Sequence, residues 1–115
     1  MVIKKQDAFR TNKQGVDIWI YSGKEQCSEA AIVYQETIEG HFEEFYHGKS
    51  TFLFYIIEGN GKWFIDKKEF EVETGDVVIV PKNTKFYYTG RLKQICVTAP
   101  AWEEEHEHHV RMICK

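Results

Sequence analysis

Short apolar runs cut by turn residues at nearly even spacing dominate residues 50–88. Residues 52–57 (Phe-Leu-Phe-Tyr-Ile-Ile) are aromatic and β-branched and too few for a typical helix, so they predict a strand. Glu58-Gly59-Asn60-Gly61 follows, and Asn-Gly is a strong hairpin signal because both central residues of a type I′ turn need φ > 0. The pattern therefore predicts a turn there and a returning strand at 62–65. Asp66-Lys67-Lys68 predicts a second turn, residues 69–72 a strand, Thr74-Gly75-Asp76 a third turn and residues 77–80 another strand. Pro81 and Asn83 end that run, since proline offers no N–H to a ladder. Phe86-Tyr87-Tyr88 starts a further strand, Gly90 turns it, and residues 92–98 form the next. Upstream, residues 16–21 alternate aliphatic side chains with Asp17, Trp19 and Tyr21, and residues 30–37 form a second strand. Residues 39–47, with His41, Glu43, Glu44, Tyr46 and His47, read as a loop. Residues 1–15 read as an N-terminal arm or edge strand, and 16–115 as a single domain. Strands this short and closely spaced predict an all-β sandwich or barrel.

Composition narrows the function classes. At 115 residues the chain is long enough for one core. Eight Phe, six Tyr and three Trp suit strands, and they also suit a pocket that stacks flat ligands. The net charge is -3 with no basic stripe, which argues against nucleic acid as a partner. No apolar span is long enough for a membrane helix, and residues 1–7 carry charge where a secretory signal needs apolar residues. Cys27, Cys96 and Cys114 match no zinc or redox spacing, so the expectation is a reduced, cytoplasmic protein. Cys96, within an apolar strand, is expected to be an inert thiol.

Two segments resemble a known family. Tyr55-Ile56-Ile57-Glu58-Gly59-Asn60-Gly61 is similar to the Tyr-Val-Leu-Glu-Gly-x-Gly segment of cupins. Thr74-Gly75-Asp76-Val77-Val78-Ile79-Val80-Pro81-Lys82-Asn83-Thr84 resembles the segment that opens the second cupin motif. The resemblance covers residues 45–90 and implies a double-stranded β-helix, a jelly roll of two antiparallel sheets around a tapering pocket. Cupins include dioxygenases, sugar-nucleotide epimerases, phosphosugar isomerases, lyases and storage proteins, so function has to come from the site.

The resemblance also locates four metal-ligand positions. The family glutamate falls on Phe52 and the second-motif histidine on Phe86. The His-x-His pair falls on Phe45 and His47, or on Tyr46 and Gly48, depending on spacing. Phenylalanine has no lone pair to give a metal. Strand alternation adds Phe54 and Ile56 to the Phe52 face and Tyr88 to the Phe86 face. The expectation is an aromatic pocket with no metal and no cofactor, holding a small organic ligand such as a carbohydrate. His47, Tyr46, Phe52, Phe54, Phe86 and Tyr88 are its candidate binding residues.

Each candidate has a plainer alternative. His47 is either an acid or base at the pocket mouth, partnered by Glu36, Glu43 or Glu44, or a loop histidine bonded to backbone. Tyr55, Tyr87, Trp19 and Trp63 are either further stacking faces or core. His106, His108 and His109 are either metal ligands, alone or with His41 and His47, or a surface segment whose Val110 and Ile113 pack on the barrel. The chain is thus either a binding protein or an enzyme of the sugar isomerase or epimerase type, with His47 as base and Tyr46 or Tyr88 as acid. Leu53, Tyr55 and Ile57 make the second face of their strand apolar too, which predicts a homodimer interface, as the cupin resemblance also implies, or else packing under the N-terminal strands.

Overall fold

The computed structural model describes residues 1–114. The described residues form nine strands: β1 Phe9–Lys13, β2 Val16–Ile20, β3 Ala31–Thr37, β4 Gly40–His47, β5 Thr51–Ile65, β6 Lys68–Glu73, β7 Val77–Val80, β8 Phe86–Ala99 and β9 Glu107–Met112. Single 3₁₀ turns occupy Lys5–Asp7 and Glu104–His106. No helix among the described residues is long and apolar enough to cross a membrane.

The two long strands, β5 and β8, pair antiparallel from Thr51↔Ala99 to Ile65↔Phe86. Each is flanked on its other edge by two shorter strands. β7 and then β6 line β5, while β4 and then β3 line β8. From β3 the sheet continues through β2 to β1, and from β4 it continues to β9. The sheet curls until its two ends meet: Lys13 on β1 forms an ion pair with Glu107 on β9, and the Phe42 N–H donates to the Gln14 carbonyl at 2.9 Å. The result is a β-barrel jelly roll: the strand pattern predicts the all-β barrel, and the resemblance to cupins implies the jelly roll.

Three sequence expectations are corrected. Asn60-Gly61 makes no turn, because β5 runs straight through it. The glycines there serve close approach instead. A Cβ at Gly59 would lie 2.0 Å from the Arg91 carbonyl oxygen, and one at Gly61 would lie 2.2 Å from that of Thr89. The hairpin sits six residues later, at Asp66-Lys67, whose φ values of 50° and 70° are the two positive values a two-residue loop requires. Gly90 likewise lies within β8, opposite Gly61, and turns nothing. Residues 40–47 are a strand rather than a loop. Register shifts at Phe45 break the period-two pattern, and buried polar residues hide the rest. The arm holds the edge strand β1, and the histidine-rich tail supplies β9.

The core is an aromatic stack. Fully buried Trp63 lies between Tyr88 (centroids 4.3 Å apart) and Phe86 (5.9 Å), with Phe54 4.6 Å away. The opposite face of the same sheet is apolar and open. Leu53, Tyr55, Val77, Ile79 and Ile32 are all exposed there, side by side across β3, β8, β5 and β7.

Candidate functional site

The barrel encloses a cavity of about 810 Å³. Phe45, Phe52, Phe54, Phe86 and Tyr88 supply its apolar wall, and His41, Gln35, Lys13 and Glu107 its polar groups. Exposed Lys24, Glu25, Glu104 and Glu105 mark its open end.

His41 is the residue best placed for chemistry. Register sets it beside Tyr88 on the neighbouring strand, with ring centroids 5.7 Å apart and Phe45 at 5.1 Å. Its Nδ1 lies 2.8 Å from the Glu43 carbonyl oxygen, which can only accept, so Nδ1 carries the proton. Nε2 is then left with its lone pair. Burial holds the imidazole below its usual pKa, opposed by the Glu43 carbonyl and carboxylate, so the ring is neutral near pH 7. A neutral imidazole with a fixed tautomer in an apolar cavity is a competent base.

Around it, the Lys13–Glu107 pair brings one positive and one negative group to the cavity wall. Trp102 Nε1 donates to Glu107 at 3.1 Å, and the Lys13 ammonium lies 5.8 Å from both the Phe45 and Trp102 rings. The Tyr88 hydroxyl donates to Gln35 Oε1 at 3.1 Å. Complete burial pushes the Tyr88 phenol well above its ordinary pKa, so it acts as a neutral hydrogen-bonding group. Cys96 is also buried and its thiol is pushed up, in keeping with an inert side chain.

Of the candidates read from the sequence, Phe52, Phe54, Phe86 and Tyr88 all line the cavity. His47 does not. Its Nε2 meets the Glu103 carbonyl at 3.0 Å, and its Nδ1 accepts from the Ser50 and Lys49 backbone N–H groups at 2.8 and 3.2 Å. Both nitrogens are committed, so the backbone-bonded alternative describes its position. Tyr46 faces away and stacks on His108 at 4.9 Å. Glu43 and Glu44 pair with His109 and Arg111, while Glu36 accepts from Tyr34, so none of the three partners His47. Trp63 is core, Tyr87 stacks on Phe64, and Trp19 packs on Tyr34. Sequence reasoning missed Gln35, Lys13 and Glu107, and it placed His41 in a loop. The one available signal was His41's position, two residues before Glu43 at a strand start.

The metal positions of the fold do not fit a metal here. Phe45, Phe52 and Phe86 are buried rings packed on one another at 4.6–6.1 Å, with no donor atom among them. Glu103, Glu105 and His106 bring three donor atoms within 4.8 Å of one another, but the Glu103 carboxylate already pairs with Lys24 and Lys49. Those two ammoniums hold Glu103 down to a pKa of about 2.

His41 and His47 are both held below their usual pKa by burial. Below the ordinary histidine value of about 6.5 the unfolded chain binds more protons than the folded one. Stability is therefore expected to rise with pH through the window between the depressed values and about 6.5, and to be lost as pH falls through it. Urea unfolding at about pH 7.5 and about pH 5.5 checks this, with a shallower pH slope expected for His41→Gln.

Comparison with known proteins shows which fold and family this chain is similar to. A structure of a Streptomyces Pac13 variant with uridine is 30% identical, with a TM-score of 0.95, covering 99% of this chain and 93% of that one. Another structure of Pac13, described as a unique nucleoside dehydratase, is 29% identical with the same coverage and TM-score. KdgF from Halomonas sp. shares the fold at 12% identity, with a TM-score of 0.76 over 91% of this chain and 97% of that one. A curated relative, an uncharacterised protein of Methanocaldococcus jannaschii, is 32% identical over 90 residues, covering 75% of this chain and 70% of its own length. Residues 35–98 match the family described as the cupin domain, and the chain belongs to that family.

Proposed function

We propose that this protein binds a nucleoside in the aromatic cavity and removes water from its sugar without a metal, with His41 moving the proton. The observation that carries this reading is the His41 ring: Nδ1 held by the Glu43 carbonyl, Nε2 free, and the ring on the cavity wall. The likeness to Pac13 along nearly the whole chain supplies the ligand class.

The chemistry constrains the substrate further. A neutral imidazole takes a proton from carbon only where an adjacent carbonyl can accept the charge. The substrate is therefore a nucleoside whose sugar carries a carbonyl next to the C–H bond. Nε2 takes that proton, and the electron pair passes into the enolate. The neighbouring C–O bond then breaks, a C=C bond forms, and the leaving hydroxide takes the proton back from Nε2–H as water. One imidazole serves as base and then as acid, and no oxidant or reductant is consumed. Phe54, Phe86 and Tyr88 offer flat apolar faces that exclude water.

The test uses uridine oxidised at its primary alcohol to the aldehyde, with loss of one water followed by mass spectrometry. Turnover supports the reading. Binding of uridine with no turnover would leave a binding protein, and no binding of either compound would end the nucleoside reading.

A second copy of this chain is the proposed cover for the open apolar face around Leu53, Tyr55, Val77 and Ile79, since an exposed patch of this kind marks an interaction site. Tyr55→Glu is expected to turn a dimer into a monomer in analytical ultracentrifugation. A wild-type protein that sediments as a monomer would remove this proposal.

A further inference from the structure

Gln35 is among the polar side chains of the cavity that the proton transfer does not use. Gln35 on β3 stands opposite Gln94 on β8, and both point inward. Gln35 Oε1 accepts from two donors, the Tyr88 hydroxyl at 3.1 Å and Gln94 Nε2 at 2.8 Å. An amide oxygen has two lone pairs, and both are now occupied. The Gln35 amide therefore cannot turn over without losing both bonds, and its N–H groups, with no acceptor among the described residues, remain for the cavity that Gln35 lines. Gln94 is completely buried and does not line the cavity, and its own Oε1 has no partner. A buried amide with one end unpaired is costly unless its other end has work to do. Here the paired end fixes which face Gln35 shows.

We infer that Gln35 donates to the carbonyl oxygen of the substrate, the oxygen that gains charge as His41 removes the neighbouring proton, and that Gln94 is the residue positioning it. This deepens the dehydratase reading and rests on it. The Tyr88 proton already goes to Gln35, and the Lys13 ammonium gives one of its three N–H donors to Glu107. A donor aimed at developing charge in a water-poor site acts most strongly in the transition state. It also discriminates. An amide N–H meets either a carbonyl or a hydroxyl oxygen, whereas a carboxylate in its place accepts from a hydroxyl and repels a carbonyl.

Gln35→Glu tests this, because it keeps an acceptor for Tyr88 and Gln94 while deleting the donor and, when ionised, setting a negative charge in its place. With uridine, which carries a hydroxyl, the dissociation constant measured by calorimetry is expected to stay within about threefold. With the uridine aldehyde, kcat/KM is expected to fall about 10²–10³-fold. Gln94→Met, which never touches the ligand, is expected to lower kcat/KM for the aldehyde about tenfold and to add nothing in the Gln35→Glu background. If Gln35→Glu keeps kcat/KM within about threefold, or weakens uridine and the aldehyde equally, the inference is overturned while the dehydratase reading stands. If the unsubstituted protein neither binds uridine nor converts the aldehyde, that reading falls and this inference falls with it.

Discussion

Glutamine in place of His41 is expected to lower kcat on the uridine aldehyde by about 10²–10⁴-fold, the range a positioned acid–base group supplies. Glutamine fills similar space and can still donate to the Glu43 carbonyl that holds Nδ1, so the barrel and the cavity are kept. It has no nitrogen lone pair able to take a proton, so only the chemical step is lost. The dissociation constant of uridine is therefore expected to change by no more than about threefold, separating proton transfer from binding. In the unsubstituted protein the acid limb of kcat/KM is expected below about pH 6.5, because burial holds the imidazole below its ordinary value. A His41→Gln protein retaining kcat within about threefold would transfer the role to another group, and Glu107 would be the next to replace.

Alanine in place of Trp63 is expected to cost about 3–5 kcal/mol of folding stability, measured as a shift in the urea unfolding midpoint. Trp63 is fully buried and packs on Phe54, Phe86 and Tyr88 at once, so its removal opens a void that three large rings cannot close. Trp63→Phe is expected to cost much less, about 1 kcal/mol. The indole N–H has no hydrogen-bond partner, so removing it also removes an unsatisfied buried donor. Since Tyr88 and Phe86 line the cavity, the alanine variant is also expected to weaken uridine binding. A cost under about 1 kcal/mol for the alanine variant would show that the stack carries little of the core.

The shared core also explains why some of the site could be read from the sequence. Phe52, Phe54, Phe86 and Tyr88 alternate with outward residues along β5 and β8, and period-two alternation survives folding unless a bulge intervenes. A strand face that is aromatic in sequence is therefore aromatic in the cavity. β4 shows where such reading stops. Its buried residues include His41, Glu43, Glu44 and His47, which look like a solvated loop when taken one by one. They are tolerable inside because Glu43 and Glu44 meet His109 and Arg111 from a strand more than sixty residues away, and because His47 is held by backbone groups. Asn60-Gly61 fails for a different reason. The dipeptide permits a tight turn, but it equally permits two strands to approach closely, and only the position of β8 decides between them.

The resemblance to cupins implied the jelly roll and placed phenylalanines at the family's ligand positions 52 and 86. Local chemistry in the chain determined the all-β class and the inward aromatic rings, both of which follow from neighbours in sequence and from which face a strand residue takes. Tertiary structure alone decided that His41 rather than His47 keeps a free nitrogen, that Lys13 and Glu107 meet from opposite ends of the sheet, and that Gln94 and Tyr88 fix the face Gln35 presents. A hydrogen bond commits a side chain only once its partner has arrived, and these partners come from strands distant in the chain.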